Sequence, residues 1–217
     1  MELYDAMSTL RAVRRLRADP IPADVLERVL TAATWAPTGG NHQSWRIISV
    51  TAPELKQGLQ DLYRPHWDSY VPAYEKHLSN MPPEQAGQSR RALESGTYLA
   101  HHMFEAPVIC VFCFNTDHIT ITDAGLSRPS VVGGGSIYPA VQNLLLAARN
   151  EQLGCVLTTL LCIEEPAVKE LLQIPAEWHT AAFVPLGYPV KGGHGSISRK
   201  PIEKMVYSNH FGAPLQP

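Results

Sequence analysis

Apolar residues recur at helical spacing at Val25, Leu26, Val29, Leu30 and Ala33, shortly after Pro22, and the pattern stops at Ala36 and Pro37. It predicts an amphipathic helix that ends in a loop. Pro37 to Ser44 is small and polar, and Trp45 to Val50, with Ile47, Ile48 and Val50, reads as a strand. Pro53 opens a further helix through Arg64. Pro65 to Gly87 carries aromatics and prolines (His66, Trp67, Tyr70, Tyr74, Pro82, Pro83) without a clean period, so residues 60–106 are expected to hold an irregular excursion or lid. Within that stretch Arg90 to Phe104 reads as helical. Val108 to Phe114 is continuous enough for a buried strand. Tyr138 to Gln152 is apolar around most of its circumference and predicts a helix buried on several sides, either central or at a dimer interface. Leu153 and Gly154 end it. Cys155 to Leu161 then reads as a strand, Glu165 to Leu172 as a short helix with Pro166 in its first turn, and Thr180 to Tyr188 as the last strand. There is no internal repeat and no long linker, so residues 1–217 are predicted to form a single domain.

Composition narrows the class. The chain has 217 residues, 45% hydrophobic and 18% charged, with a formal charge of -2, which excludes a disordered acidic protein and a strongly basic nucleic-acid coat. Cys110, Cys113, Cys155 and Cys162 are scattered and flanked by apolar residues, which suggests a reducing compartment. The first residues carry Glu2 and Asp5 and no apolar signal core, and the charge-free stretch between Arg128 and Arg149 is broken by glycines, Pro139, Gln142 and Asn143. A cytoplasmic protein with neither membrane nor nucleic acid as partner is the expectation. Fifteen glycines and eighteen prolines suggest several loops of specified geometry.

Common catalytic signatures are missing. The nine histidines form no His-Glu-x-x-His zinc helix, and the chain has no Gly-x-Ser-x-Gly elbow or phosphate-binding Walker loop. Cys110 and Cys113 make a Cys-x-x-Cys, but residues three apart on a strand face opposite sides, so they read as core cysteines and no metal site is expected. Gly133-Gly134-Gly135 lacks the spacing of a dinucleotide fingerprint and is either a plain loop or a close approach to a flat ligand. Arg11, Arg14, Arg15 and Arg17 are either a solvated face or a phosphate site. A second cationic group at Arg199 and Lys200, and the donor-rich loop from Thr38 to Gln43, favour a phosphate joined to a planar polar heterocycle.

Arg11-x-x-Arg14, then Asp19-Pro20-Ile21-Pro22, then Ala36-Pro37-Thr38-Gly39-Gly40-Asn41-His42-Gln43-Ser44-Trp45 resemble the nitroreductase family of flavin mononucleotide (FMN) enzymes in order and spacing. Tyr138-Pro139-Ala140-Val141-Gln142-Asn143 with the helix after it, Leu153-Gly154, Leu186-Gly187-Tyr188-Pro189 and Arg199-Lys200-Pro201 fall where the family keeps similar segments. The resemblance runs in patches from Arg11 to Lys204; residues 60–106 lie outside it. It implies an α+β fold, a three-layer sandwich with a mixed, mostly antiparallel sheet flanked by helices, built as an intertwined homodimer. The tail, residues 191–217, would extend onto the partner subunit.

The same resemblance implies site residues. Arg11 would hold the flavin phosphate, with Arg199 from the tail, and Ala12 would sit between Arg11 and Arg14. Arg14 would reach the pyrimidine edge, where positive charge stabilises the anionic reduced flavin. Thr38, Gly39, Asn41 and Gln43 would approach the flavin from the other subunit, and the backbone of Thr158, Thr159 and Leu160 would lie beside its rings. The family commonly has Arg-Arg-Ser-x-Arg and Gln-Pro-Trp; here Ala12 stands where the serine hydroxyl would contact phosphate, and Ser44 replaces the proline.

The implied activity is transfer of hydride from NADH or NADPH through FMN to a nitroaromatic, a quinone or a similar small aromatic acceptor. Such ping-pong transfer needs positioning rather than a dedicated acid or base, and no catalytic side chain is assigned. The aromatics from Tyr63 to Tyr74 either shape the acceptor pocket or pack a core or dimer interface. Three alternatives stay open: a non-catalytic flavin-sequestering protein of the same fold, a flavin enzyme of other chemistry such as dehalogenation or ring fragmentation, and an arginine-led nucleic-acid module.

Overall fold

The computed structural model describes residues 1–216, and of residues 83–85 the backbone alone. Ten elements are used below: α1 (Leu3–Thr9), α2 (Ala23–Thr34), β1 (Trp45–Val50), α3 (Pro53–Ser79), α4 (Pro83–His102), β2 (Val108–Asn115), α5 (Tyr138–Asn150), β3 (Gly154–Cys155), α6 (Glu165–Leu172) and β4 (Trp178–Gly187).

The strands form one sheet in the order β1-β2-β4-β3, every neighbouring pair antiparallel. A single parallel bridge between Ala12 and Cys155 lays the N-terminal arm along the β3 edge. Alternation along β2 divides the core into two layers, because successive side chains leave a strand on opposite faces. Val108, Cys110 and Phe112 pack with Val29 and Ala33 of α2 and with Ala140, Val141, Leu144 and Ala148 of α5. Ile109, Val111 and Cys113 pack with Leu59 and Tyr63 of α3, Leu99 and Ala100 of α4 and Val168 of α6. Both faces being covered explains why β2 is apolar without interruption, and it sends the two cysteines of the Cys-x-x-Cys into different layers.

The β2–β4 ladder slips by one residue: Phe112 pairs with Ala182 and Cys113 with Thr180, leaving Ala181 unmatched. This is a β-bulge. Ala181 and Ala182 consequently share the α5 layer, and the freed carbonyl of Ala181 accepts a hydrogen bond from the Tyr138 hydroxyl at 3.3 Å.

Two expectations are corrected. Residues 60–106 are not irregular: α3 runs 27 residues through Pro65 and Pro72, and α4 runs antiparallel-wise back to the sheet as a 20-residue helix. Each interior proline removes a helical hydrogen bond at a cost of about 3 kcal/mol. Both are exposed, while Tyr63, Trp67, Tyr70 and Tyr74 follow one another along the helix with ring centroids 5.4 to 6.3 Å apart. That helically spaced aromatic row, together with buried Leu59, carries the helix past the prolines. The second correction concerns Cys155 to Leu161. Pairing on β4 stops at Cys155, Thr158 makes one further bridge to Phe183, and residues 160–164 turn into a 3-10 helix. No helix among the described residues is long and apolar enough to cross a membrane.

Candidate functional site

The N-terminal arm positions the arginines. Val13 and Leu16 are buried, the Val13 amide donates to the Cys155 carbonyl at 2.8 Å, and the Arg17 amide donates to Tyr188 O at 2.8 Å. Pinned between β3 and the chain after β4, the arm directs its arginines apart. Arg14 faces the α3–α4 layer and helps to line a cavity of about 400 Å³ with Tyr63, Trp67 and Tyr70 of α3 and with Thr158, Thr159 and Leu160. Arg14 is half-buried and has no carboxylate within ion-pair distance among the described residues. Burial works against its charge and lowers its pKa, opposed by the nearby Tyr63. Tyr63 is pushed the other way: burial raises the phenol, and Thr158 and Arg14 offset part of the rise.

Arg11 is exposed and folded onto the tail. Its Nε donates to the Ser196 carbonyl at 3.0 Å, and Nη2 donates to the same oxygen. Gly195 lies beside this contact with a φ of +154, in the glycine-favouring region, although a Cβ there would make only an ordinary contact with Arg11 Cζ at 3.4 Å. Ala12 contributes backbone, through its bridge to Cys155. Arg199 is exposed with its Nη1 on the Ser198 carbonyl at 2.8 Å, so within one chain Arg11 and Arg199 each turn to local carbonyls and not to one another.

The polar loop is a separate unit with its own hydrogen bonds. Gly40, Asn41 and Gln43 all have positive φ (56, 57 and 48), a run that small and amide residues tolerate best. Thr38 Oγ1 accepts from the Gln43 amide at 3.0 Å, and the Gly39 amide donates to Ser136 Oγ at 3.0 Å. The loop thus sits against the start of α5. It adds nothing to the Arg14 cavity; Gln43 instead lines a cleft of about 570 Å³ between α2 and β1. Of the eleven cofactor residues expected from sequence, the structure joins Arg14, Thr158, Thr159 and Leu160 in one cavity and leaves Arg11, Ala12, Arg199 and the Thr38–Gln43 group outside it.

Ser136, the Ser196 carbonyl, and Ala92 and Leu93 of α4 escaped sequence reasoning. A main-chain acceptor leaves no residue-type signal, and Ser136 is brought to Gly39 over 97 positions.

The nitroreductase family model matches residues 9–188. The chain belongs to the nitroreductase family. Among its family relatives, the 5,6-dimethylbenzimidazole synthase of Rhodobacter capsulatus is 30% identical over 190 residues, covering 86% of this chain and 83% of the relative. The NADH dehydrogenase of Thermus thermophilus is 26% identical over 222 residues, covering 90% of each. Two solved structures of nitroreductase-family fold are similar. Iodotyrosine deiodinase bound to FMN and 3-iodo-L-tyrosine superposes with a TM-score of 0.65 at 24% identity, covering 96% of this chain and 99% of that one. The NADPH:FMN oxidoreductase from Vibrio harveyi complexed with NAD+ superposes with a TM-score of 0.65 at 20% identity, covering 96% and 77%. The nitroreductase fold is therefore common to proteins with several chemistries.

Proposed function

We propose that this nitroreductase-family protein is an FMN-dependent oxidoreductase that takes hydride from NADH or NADPH and passes it to a small electron-poor aromatic such as a nitroaromatic or quinone. The observation that carries the reading is the meeting of Arg14 with Thr158, Thr159 and Leu160 in one aromatic-walled cavity. The donor set suits the cofactor. Arg14 is a half-buried cation without a counter-charge among the described residues, a fitting neighbour for the edge of a ring system that becomes anionic on reduction. Arg11 and Arg199 have the guanidinium forks that a phosphate needs, and both are exposed. When bound, FMN supplies the hydride chemistry. The chain's part is to neutralise charge through Arg14, to present backbone at residues 158–160, and to exclude water with Tyr63, Trp67 and Tyr70.

The protein works as a homodimer in this reading. Thr38, Gly39, Asn41 and Gln43 lie outside the Arg14 cavity, so their part in a flavin site requires a second copy of the chain. The tail supports it: Met205, Val206, Tyr207 and Leu215 are exposed, and Phe211 is 95% exposed, an apolar surface suited to burial on a partner. A reducing, cytoplasmic setting accords with the four free thiols.

Purified protein mixed anaerobically with NADPH tests the reading. Bleaching of the flavin band within seconds, then recovery when 1,4-benzoquinone is added, is the expected result. A flavin spectrum that NADPH and NADH leave unchanged would instead indicate a sequestering protein. Colour lost on replacing Arg11 and Arg199 together by alanine assigns the phosphate grip; a variant that stays yellow refutes it. Sedimentation at twice the chain mass is expected, and a monomer that retains flavin would refute the shared site.

A further inference from the structure

The hydroxyls of Tyr63 and Thr158 are 3.4 Å apart, and the Leu160 amide donates to Thr158 Oγ1 at 3.4 Å. Two hydroxyls joined by one hydrogen bond hold two hydrogens and use one. No second acceptor for either hydroxyl is found among the described residues. With Leu160 already donating to Thr158 Oγ1, the arrangement that shares the load has Thr158 donating to the Tyr63 oxygen and leaves the phenolic hydrogen free. Tyr63 is 2% exposed in its own chain and lines the cavity together with Arg14. Among the described residues Arg14 is the one charged side chain in that lining. A phenolate formed there would therefore gain a cation and a hydroxyl donor as neighbours, with no carboxylate among the described lining residues to oppose it. Burial holds the phenol above its ordinary value, so it carries its proton at neutral pH.

We propose that Tyr63 is the proton donor to the electron acceptor, an assignment that rests on the oxidoreductase reading above. For a quinone, a hydride equivalent drawn from a dihydronicotinamide, of the kind FMN would supply when bound, would add with its electron pair to one carbonyl oxygen. The ring electrons shift, and the second carbonyl oxygen becomes an alkoxide-type O⁻. The Tyr63 O–H bond breaks, its proton joins that oxygen, and hydroquinone results. The electron pair of the broken bond stays on the phenolate beside Arg14 until the hydroquinone leaves and solvent returns a proton. Thr158 acts as a positioning residue, because its hydroxyl holds the phenolic oxygen of Tyr63.

Tyr63→Phe keeps the buried ring and removes the hydroxyl, and the flavin-loaded protein is compared with wild type in the two half-reactions. Bleaching by NADPH should change far less than reoxidation does. Reoxidation by 1,4-benzoquinone should slow about 100-fold, the lower range for loss of a general acid. The wild-type reoxidation rate should fall more in deuterium oxide than the variant's, because transfer of the phenolic proton adds to the isotope effect of the exchangeable N–H of a reduced flavin, a difference that a packing role would not produce. A readout without turnover accompanies it: hydroquinone binding, followed by intrinsic tryptophan fluorescence, should weaken about fivefold in Tyr63→Phe, the worth of one hydrogen bond. Thr158→Val serves as a second variant and should slow reoxidation less than Tyr63→Phe does. Reoxidation of Tyr63→Phe at the wild-type rate with its isotope effect intact would overturn the proton-donor role while leaving the oxidoreductase reading standing. A wild-type flavin that NADPH fails to bleach would overturn both.

Discussion

Trp67 occupies the space beside Gly96 so closely that a Cβ on the glycine would stand 2.2 Å from Cη2 of the indole. The contact joins α3 to α4 in the wall of the Arg14 cavity, and Trp67 Nε1 donates to Thr97 Oγ1 at 3.0 Å beside it. Gly96→Ala should therefore destabilise the protein by about 1–3 kcal/mol through overpacking. That outcome opposes the gain of about 1 kcal/mol that alanine brings to a helix interior. Urea unfolding gives the sign directly: a higher midpoint for the variant would mean that Trp67 swings away at no cost.

Arg14→Gln keeps a polar, hydrogen-bonding side chain and removes the charge. In the proposed FMN enzyme it should keep the protein yellow yet make the flavin midpoint potential more negative, since a charge-assisted contact to the anionic reduced form is worth about 1.5–3 kcal/mol. Spectroelectrochemical titration of both proteins decides it, and an unshifted potential would remove Arg14 from the ring edge.

Glu165 binds the sheet end of β4 to α6. Its Oε1 meets His179 Nδ1 at 2.9 Å, and its Oε2 accepts from the Thr180 amide at 2.7 Å and Thr180 Oγ1 at 3.0 Å. Burial acts to raise the carboxyl, but these hydrogen bonds outweigh it and hold the pKa below its ordinary value. The stability this confers is complete above the unfolded carboxylate pKa of about 4.3 and is lost as pH falls through the lower folded value. Urea midpoints recorded from about pH 5 down to pH 3 should decline more steeply for wild type than for Glu165→Gln.

The thiols of Cys110 and Cys155 are pushed up to about 12 and that of Cys113 to about 11, chiefly by burial. Cys162 is also raised by burial but is partly exposed. A thiol reagent at neutral pH should therefore modify at most Cys162 in the folded protein and all four after unfolding, because the thiolate is the reactive form. Mass spectrometry of the labelled protein counts the sites.

Much of the fold was legible for a physical reason. β2 is covered on both faces and so reads as an unbroken apolar run. The helix α5 was legible as a helix, but this chain buries only its Ala140, Val141, Leu144 and Ala148 stripe, so the apolar residues around the rest of its circumference are not covered as the sequence suggested. The α3 helix was obscured by its prolines, although Tyr63, Trp67, Tyr70 and Tyr74 are themselves spaced at helical intervals. Those prolines lie on the exposed side, a fact only the fold supplies. Cys155 to Leu161 misled in the other direction, because a short apolar run does not distinguish a strand from a buried turn. At the site, the arginines and the Thr38–Gln43 loop stand out by residue type. The pairing of Tyr63 with Thr158 spans 95 positions, and the hydroxyls that meet there belong to common residues, so composition and spacing carry no trace of it.

The unmatched Ala181 gives β4 two independent phases. From Ala182 to Gly187 the strand is committed to the core, whereas His179 and Thr180 serve the Glu165 network. A sheet without the bulge would couple the two, so that any slip needed at the α6 end would turn the core side chains of the other end outward. With a spare residue between them, the α6 end can be remodelled by substitution, or reshaped by an insertion near Pro175, while the packing of Phe183, Val184 and Leu186 stays as it is.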